Sequence, residues 1–477
     1  MNTQARKTGR YHIIGIGGIG MSAIAEVMQA CGYDVQGSDQ NKSANVERLL
    51  TKNIRVFVGH DIANIADADT IVISSAVKSG NPEYDAARAR GLNILSRADM
   101  LAEIVSRFQT ISITGTHGKT TTTSLIAHLL EIAGVDPTVI NGGIINDWGS
   151  NARIGKGDWM VVEADESDGT FIRLPSRIGV VTNIDPEHLD YYGSVDALHE
   201  AFRKFFAGFE DGGLVVAGTD HPVVRQMISE IAPTEKLRIL TYGQNADADI
   251  LLQNWTPNGY GTTFNVRTSD DVAGGPETMI DLGLSIPGRY NAMNALAAIA
   301  VAKELGLGND DIRRGLEQFA GVGRRFMKTG VWNGIDFYDD YAHHPVEIAQ
   351  VLEAARQTAK RRVIAIVQPH RYSRLKDLLD EFSRCFSEAH SVIVAPVYTA
   401  GEAPNGIDEA TLVQGLKESG HPHVLSVGGV DELAGLIAEI STAGDLVIGL
   451  GAGTISQWMN QLPSQLEELP AKLENFA

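Results

Sequence analysis

The stretch Thr114-Gly-Thr-His-Gly-Lys-Thr-Thr-Thr122 constrains the fold more than any other part of the chain. It follows Ile111-Ser112-Ile113, an apolar run that reads as a short buried strand. It precedes Thr123 to Ala133, where Leu125, Ile126, Leu129, Leu130 and Ile132 line one face of a helix. A strand, a Gly-Lys-Thr turn and a helix are the parts of a phosphate-binding P-loop. Gly115 and Gly118 let backbone N–H groups converge on a phosphate, and the helix N-terminus adds partial positive charge. Lys119 is placed to reach the terminal phosphates and the Thr120 hydroxyl to ligate Mg²⁺. The general pattern has a Gly where Ile113 stands, so the loop is a shortened one.

With 477 residues the chain exceeds one hydrophobic core, and two to four domains are expected. High glycine (50 residues) and low aromatic content (6%) fit an α/β protein with many tight strand-to-helix turns. A formal net charge of −19 argues against wholesale nucleic-acid or anionic-membrane binding. Two cysteines, Cys31 and Cys385, exclude a disulfide framework or a cysteine-based zinc site. No secretory signal precedes Tyr11 and no apolar stretch is long enough to span a membrane, so a cytoplasmic enzyme is expected.

Three segments follow one another. In residues 1–107, Tyr11 to Ile16 reads as a strand and Met21 to Cys31 as a helix. Between them lies Gly15-Ile-Gly-Gly-Ile-Gly20, a G-x-G-x-x-G turn. Asp34 to Gly37 and Thr70 to Ser75 read as further strands, with Asp39 about 20 residues beyond the glycines. This predicts a Rossmann-like unit. NAD, a nucleotide sugar and no ligand all remain open for it. In residues 108–322, strands at Trp159–Glu163 and Ile178–Asn183 between helices predict a parallel sheet covered on both faces. Alternation over Thr262–Val266 and the turn Pro257-Asn-Gly259 predict a small antiparallel sheet appended to it. Asn291 to Leu305 reads as a helix. In residues 323–477, strands at Ile335–Tyr338, Val363–Val367, Ser391–Ala395 and Leu446–Leu450 alternate with helices. Gly449, Gly451 and Gly453 read as close strand-to-helix packing there, in preference to another nucleotide site.

Acidic residues at a strand's C-terminal edge near a P-loop are where Mg²⁺ ligands belong. Glu163-Ala-Asp-Glu-Ser-Asp168 has that placement, and His188 sits in the polar turn after the next strand. Asp339-Asp-Tyr-Ala-His-His-Pro345 and Gln368-Pro-His-Arg-Tyr-Ser-Arg374 each end a strand and start a helix. Such turns at one sheet edge would bring His344, Arg371 and Arg374 together, where arginine holds a carboxylate by paired hydrogen bonds.

In their order and spacing these stretches resemble the Mur ligases, ATP-dependent amide-forming enzymes of peptidoglycan precursor synthesis. The resemblance also rests on Gly37-Ser-Asp39, Ser74-Ser-Ala-Val77, Asn183-Ile-Asp-Pro-Glu-His-Leu-Asp190 and Pro287-Gly-Arg-Tyr-Asn-Ala-Met-Asn294, and it covers nearly the whole chain. It implies an α/β protein of three domains: an N-terminal Rossmann-like domain, a central P-loop domain and a C-terminal Rossmann-like domain. It implies ATP and Mg²⁺ as cofactors, with L-alanine and UDP-N-acetylmuramate as substrates, in a monomer or homodimer. A member that joins a whole peptide to the same nucleotide sugar is the runner-up, and an NAD-dependent oxidoreductase comes after it.

The resemblance carries roles onto residues. Gly15, Gly17, Gly18, Gly20, Met21 and Ser22 would hold the UDP end, with Asp39, His60, Ser74 and Ser75 beside it. Gly115, Thr116, Gly118, Lys119, Thr120, Thr121, Asn291, Asn294 and Arg325 would bind ATP. Thr120, Glu166 and His188 would ligate Mg²⁺. Tyr341, His344, Arg371 and Arg374 would serve the amino-acid end, His344 by orienting or deprotonating the amine. Several members carry a carbamylated lysine beyond the metal-binding histidine, but Lys204 is misplaced for it and no modification is assigned. Tyr290 stands where the family often has histidine and is left out of the adenine set.

Overall fold

The computed structural model describes residues 9–74, 76–234 and 236–469. Among the described residues three β-sheets follow one another, each flanked by helices, as expected for the α/β class. The N-terminal sheet holds β1 (Arg10–Ile14), β2 (Asp34–Asp39), β3 (Arg55–Val58), β4 (Thr70–Ile73) and β5 (Asn93–Ser96). All its pairs are parallel, in the order β3-β2-β1-β4-β5. The order reverses at β1, so the loop after β1 opens at the switch point where doubly wound sheets bind ligands. Strand β1 stops at Ile14, before the length read from sequence, because Gly15 takes φ +77° and turns the chain. The next helix starts early, at Ile19.

The central sheet contains β6 (Gln109–Thr114), β7 (Thr138–Ile145), β8 (Ser150–Arg153), β9 (Trp159–Glu163), β10 (Ile178–Val181), β11 (Leu214–Gly218) and β12 (Arg238–Gly243). It continues with β13 (Ile250–Asn258), β14 (Gly261–Thr268) and β15 (Thr278–Leu284). The order is β15-β14-β13-β12-β11-β10-β6-β9-β7-β8. The core from β12 through β6 to β9 is parallel, and β8 closes one edge antiparallel to β7. The antiparallel part expected from the sequence extends this sheet, because β13 pairs parallel with β12 through Tyr242↔Ile250 and Gly243↔Leu251. Strands β13 and β14 turn back on each other through two residues, Gly259-Tyr260.

The third sheet contains β16 (Met327–Trp332), β17 (Ile335–Asp340), β18 (Val363–Val367), β19 (Ser391–Val394), β20 (Val424–Ser426) and β21 (Leu446–Leu450). Its order is β16-β17-β21-β18-β19-β20, parallel except for β16. The runs Val-Ile-Ala-Ile-Val in β18 and Leu-Val-Ile-Gly-Leu in β21 are buried along their whole length. Separate apolar layers cover its two faces, one around Ile348, Leu352 and Phe386, the other around Ile437, Met459 and Leu462. Gly449 and Gly453 serve this packing: a Cβ at Gly449 would lie 2.2 Å from Met459, and one at Gly453 2.5 Å from Gln368.

By contacts the chain forms two compact units. The first holds residues 1–254, 264–283 and 293–320, and the second holds 255–263, 284–292 and 321–477. Within the first, one apolar core joins the N-terminal and central sheets, from Ile13 and Met100 to Phe171 and Phe205. Arg48 to Asn151 at 3.2 Å and Arg97 to Asp168 at 2.8 Å add polar ties. Among the described residues no helix is long and apolar enough to cross a membrane.

Candidate active site

At the C-terminal edge of the N-terminal sheet, the Ser38 carbonyl accepts N–H groups of Gly15 and Ile16 at 2.8 and 3.0 Å and shapes the glycine turn. Asp39 accepts the Gly17 N–H at 2.9 Å, and a Cβ on Gly17 would lie 2.8 Å from the same carboxylate. Asp39 therefore braces the turn. Gly18 precedes the helix Ile19–Ala30, where Gly20 lies beside Arg97 and Met21 and Ser22 are buried. Ser74 faces Gly15 across the switch point; Ser75 lies outside the described residues. His60 lies beside Ser38 and the buried Glu83.

The P-loop joins β6 to the helix Lys119–Ile132. Gly115 takes φ +125° and a Cβ there would lie 2.2 Å from Thr182, while Gly118 takes φ +82° beneath Asn294. At both, the positive φ strains any other residue; at Gly115 a Cβ would also meet the Asn183 backbone. The loop after β10 fastens the turn: Asn183 accepts the His117 N–H at 2.7 Å, and the Asp185 N–H donates to Thr116 at 2.8 Å. Asp185 also lies 3.4 Å from His117 and 3.2 Å from His221. Burial opposes its charge, but the two histidines outweigh that and hold it below the usual carboxylate range. Thr120 and Thr121 are buried at the start of the helix.

The Lys119 ammonium folds back onto the loop. It donates to the Gly115 carbonyl at 2.7 Å and lies 2.8 Å from Glu166, which is 1% exposed. Burial opposes the lysine charge, but Glu166, Asp165 and Glu163 outweigh it and hold the group above the ordinary lysine range. Glu166, Glu187 and His188 offer ligand atoms that all lie within 4.8 Å of one another. His188 takes φ +56°, and its imidazole is raised: burial opposes the charge, while Glu166 and Glu187 favour it. Thr120 hydrogen-bonds Glu163, which also accepts the Gly142 N–H at 2.8 Å. Burial pushes the Glu163 carboxyl up.

In the second unit, the guanidinium carbons of Arg324 and Arg325 stand 4.8 and 5.0 Å from the centre of the Tyr341 ring. Asp340 is buried beneath them and accepts the N–H groups of Phe326 and Ala342, each at 2.7 Å. Burial raises its pKa to about 6, with Arg325 opposing. His344 caps the helix Pro345–Thr358 by accepting the Val346 N–H on Nδ1 at 3.3 Å. The neutral ring then carries its proton on Nε2, which suits orienting a substrate oxygen better than removing a proton. The two turns meet where the His343 and His370 rings come within 5.7 Å. Arg374 donates to His370 at 3.1 Å. Burial, then His343, Arg374 and Arg371, push the His370 pKa down to about 4. Arg371, at φ +72°, pairs with Glu402 at 3.0 Å. Asn291 lies in this unit and donates to the Pro287 carbonyl at 2.7 Å, whereas Asn294 lies with the P-loop.

The sequence reading named Glu163 and Glu187 only within their runs and passed over Glu402. Glu187 stands directly before His188, and that adjacency was the available signal. Glu402 lies in a polar turn far from Arg371 and gives none. Lys204 is exposed on the helix Val195–Ala207.

The folds and the P-loop define an α/β nucleotide-using enzyme. Comparison with known proteins places it: the Mur ligase family's catalytic domain matches residues 10–109, the Mur ligase middle domain 113–302, and the Mur ligase glutamate ligase domain 324–453. The chain belongs to the Mur ligase family, and with it to the ATP-using ligases. It is 55% identical to a UDP-N-acetylmuramate–L-alanine ligase of Chelativorans sp. (strain BNC1), over 96% of this chain and 98% of that one. It is 54% identical to the enzyme of the same name from Rhodopseudomonas palustris (strain HaA2), over 97% and 99%. Among solved structures it is similar to a UDP-N-acetylmuramate–alanine ligase from Thermotoga maritima, with TM-score 0.80 and 28% identity over 96% of this chain and 99% of that one.

Proposed function

We propose that this enzyme joins L-alanine to the lactyl carboxylate of UDP-N-acetylmuramate, with ATP converted to ADP and phosphate, in the cytoplasm as a step of peptidoglycan precursor synthesis. The observation that carries this reading is identity of 54–55% over at least 96% of the chain to ligases of that name. Residues 1–107 hold the UDP end, 108–322 the ATP, and 323–477 the amino acid.

A carboxylate does not form an amide unaided, because oxide is a poor leaving group. The lactyl carboxylate oxygen attacks the γ-phosphorus of ATP, the bond to the β,γ-bridging oxygen breaks, and ADP leaves. The amine of L-alanine, having lost its extra proton, attacks the acyl phosphate carbon. The tetrahedral intermediate collapses with loss of inorganic phosphate. Lys119 and the N–H groups of the Gly115–Thr120 turn neutralise charge on the phosphoryl oxygens. Arg325 serves the same charge, and Asn291 and Asn294 hold the adenine. Arg371 and Arg374 hold the alanine carboxylate, with Tyr341 beside them and His344 orienting the reacting group.

An oxygen-rich set with one nearly buried carboxylate fits Mg²⁺. Glu166, Glu187 and His188 would hold one ion, and the Thr120 hydroxyl, hydrogen-bonded to Glu163, would be the further oxygen donor. Bound Mg²⁺ would supply charge neutralisation at the phosphates.

Phosphate release from ATP with UDP-N-acetylmuramate, across single amino acids and short peptides, tests the reading. Release with L-alanine and not with the peptides is expected. The reverse preference contradicts it.

A further inference from the structure

We propose that Glu83 is a positioning residue that fixes the His60 ring with its Nε2 atom outward as a hydrogen-bond acceptor. This acceptor selects uracil over cytosine at the nucleotide end of the N-terminal domain. The inference rests on the reading that this domain holds the UDP moiety.

Glu83 lies in the first turn of the helix Pro82–Arg90 and is 0% exposed. Its Oε2 accepts from the Ser38 hydroxyl and lies 3.2 Å from His60 Nδ1 and 3.4 Å from His12 Nε2. Its Oε1 accepts from Asn64 at 2.7 Å and from the Asp61 N–H at 3.3 Å. Burial opposes the charge, but hydrogen bonds from His12, Ser38 and Asn64 outweigh it and bring the pKa down to about 2. The group is an anion at neutral pH and can only accept.

That fixes both histidines. The Gln36 amide nitrogen donates to the Asn64 carbonyl at 2.9 Å and lies 3.3 Å from His12 Nδ1, so His12 turns Nε2–H toward Glu83. Two atoms face His60 Nδ1: the Glu83 carboxylate, and Ser38 Oγ at 3.1 Å, whose own proton goes to Glu83. Both are acceptors, so Nδ1 carries the proton, and the neutral ring leaves Nε2 bare.

The network is built into the glycine turn, since the Ser38 carbonyl takes the Gly15 and Ile16 N–H groups. His60 is the member that reaches solvent, with 21% of its side chain exposed. Two positions to either side, Val58 and Ile62 are 58% and 57% exposed and offer apolar surface for a planar base. A pyrophosphate on the glycine turn sends its nucleoside over this sheet edge. Uracil N3 carries a proton and would donate to Nε2. Cytosine N3 is an acceptor, so two lone pairs would meet.

The test uses the full-length protein. Turnover is compared for UDP-N-acetylmuramate and its CDP counterpart in wild type, His60→Ala and Glu83→Gln, with thermal melting to check folding. Ring-labelled histidine NMR, assigned by difference from His60→Ala, reads the His60 tautomer directly. The wild type should favour the uridine substrate by at least about tenfold, and His60→Ala should bring that below about threefold. A folded Glu83→Gln should lower the preference too, and His60 should be the Nδ1–H tautomer. If Glu83→Gln does not fold, the tautomer and His60→Ala decide. An unchanged preference in His60→Ala, or an Nε2–H ring, overturns the inference while leaving the UDP site intact. A wild type that does not use UDP-N-acetylmuramate overturns the site reading and the inference with it.

Discussion

The ammonium of Lys119 lies 2.8 Å from the carboxylate of Glu166. The P-loop lysine is thus also the counterion of a buried acid. The phosphate contact proposed for it and its part in the fold should separate in mutants.

Lys119→Met should cut ATP-dependent phosphate release by at least about a hundredfold, the scale of losing one charge-stabilising donor. It should also destabilise the protein by about 3 kcal/mol, because Glu166 loses its nearest cation and keeps only His188, at 3.4 Å, as a partner. Adding Glu166→Gln to Lys119→Met should recover part of that stability and none of the activity. Urea unfolding of the two single variants and the double variant measures the coupling. Strictly additive losses would mean the pair does not matter to the fold.

Asp340 gives a pH dependence of opposite sense to an ordinary salt-bridged acid. Burial raises its pKa from 3.8 unfolded to about 6 folded, so between those values the native state binds more protons. Stability contributed by the protonated form is present below pH 3.8 and falls as pH rises toward 6. The loss totals roughly 3 kcal/mol. Asp340→Asn cannot accept both the Phe326 and Ala342 N–H groups, so it should be the weaker protein at low pH. The gap between wild type and variant should narrow across this window. A gap constant with pH would show that Asp340 does not titrate there.

Much of the fold was legible because parallel strands buried on both faces are apolar throughout. Trp159–Glu163, Val363–Val367 and Leu446–Leu450 lie where that pattern puts them. The P-loop was legible because its glycines are sterically required at Gly115 and Gly118. Partnerships over long sequence separation were not. Glu83 meets Ser38 and His12 from 45 and 71 residues away, and no local pattern marks that. Asp39 has the spacing of a ribose-binding acid, yet it accepts the Gly17 N–H, a choice set by backbone geometry. Local strain is equally silent: Arg324, Phe326 and Arg371 all take positive φ without being glycine.

Glu402 should matter to the amino-acid end through Arg371. It holds the Arg371 guanidinium at 3.0 Å and accepts from Ser373. Glu402→Gln keeps the shape but removes the charge that aims the arginine. KM for L-alanine should rise by about tenfold, the worth of one charge-assisted hydrogen bond, with KM for ATP little changed. Steady-state kinetics in each substrate separates the two. Equal changes in both constants would point to a general loss of structure instead.

Metal dependence should run through Glu187 as well as Glu166 and His188. All three offer ligand atoms within 4.8 Å of one another, but Glu166 is also tied to Lys119, which makes Glu187 the cleaner probe. Glu187→Gln replaces a charged oxygen donor with a neutral one of the same size. The Mg²⁺ concentration for half-maximal activity should rise by about 10- to 100-fold. KM for UDP-N-acetylmuramate should change less, because its UDP end is proposed to sit on the N-terminal sheet. Chelation with EDTA should stop turnover in both proteins, and Mg²⁺ should restore it at a higher concentration in the variant. Titrating Mg²⁺ against phosphate release gives the comparison. Superimposed wild-type and variant curves would remove Glu187 from the metal site.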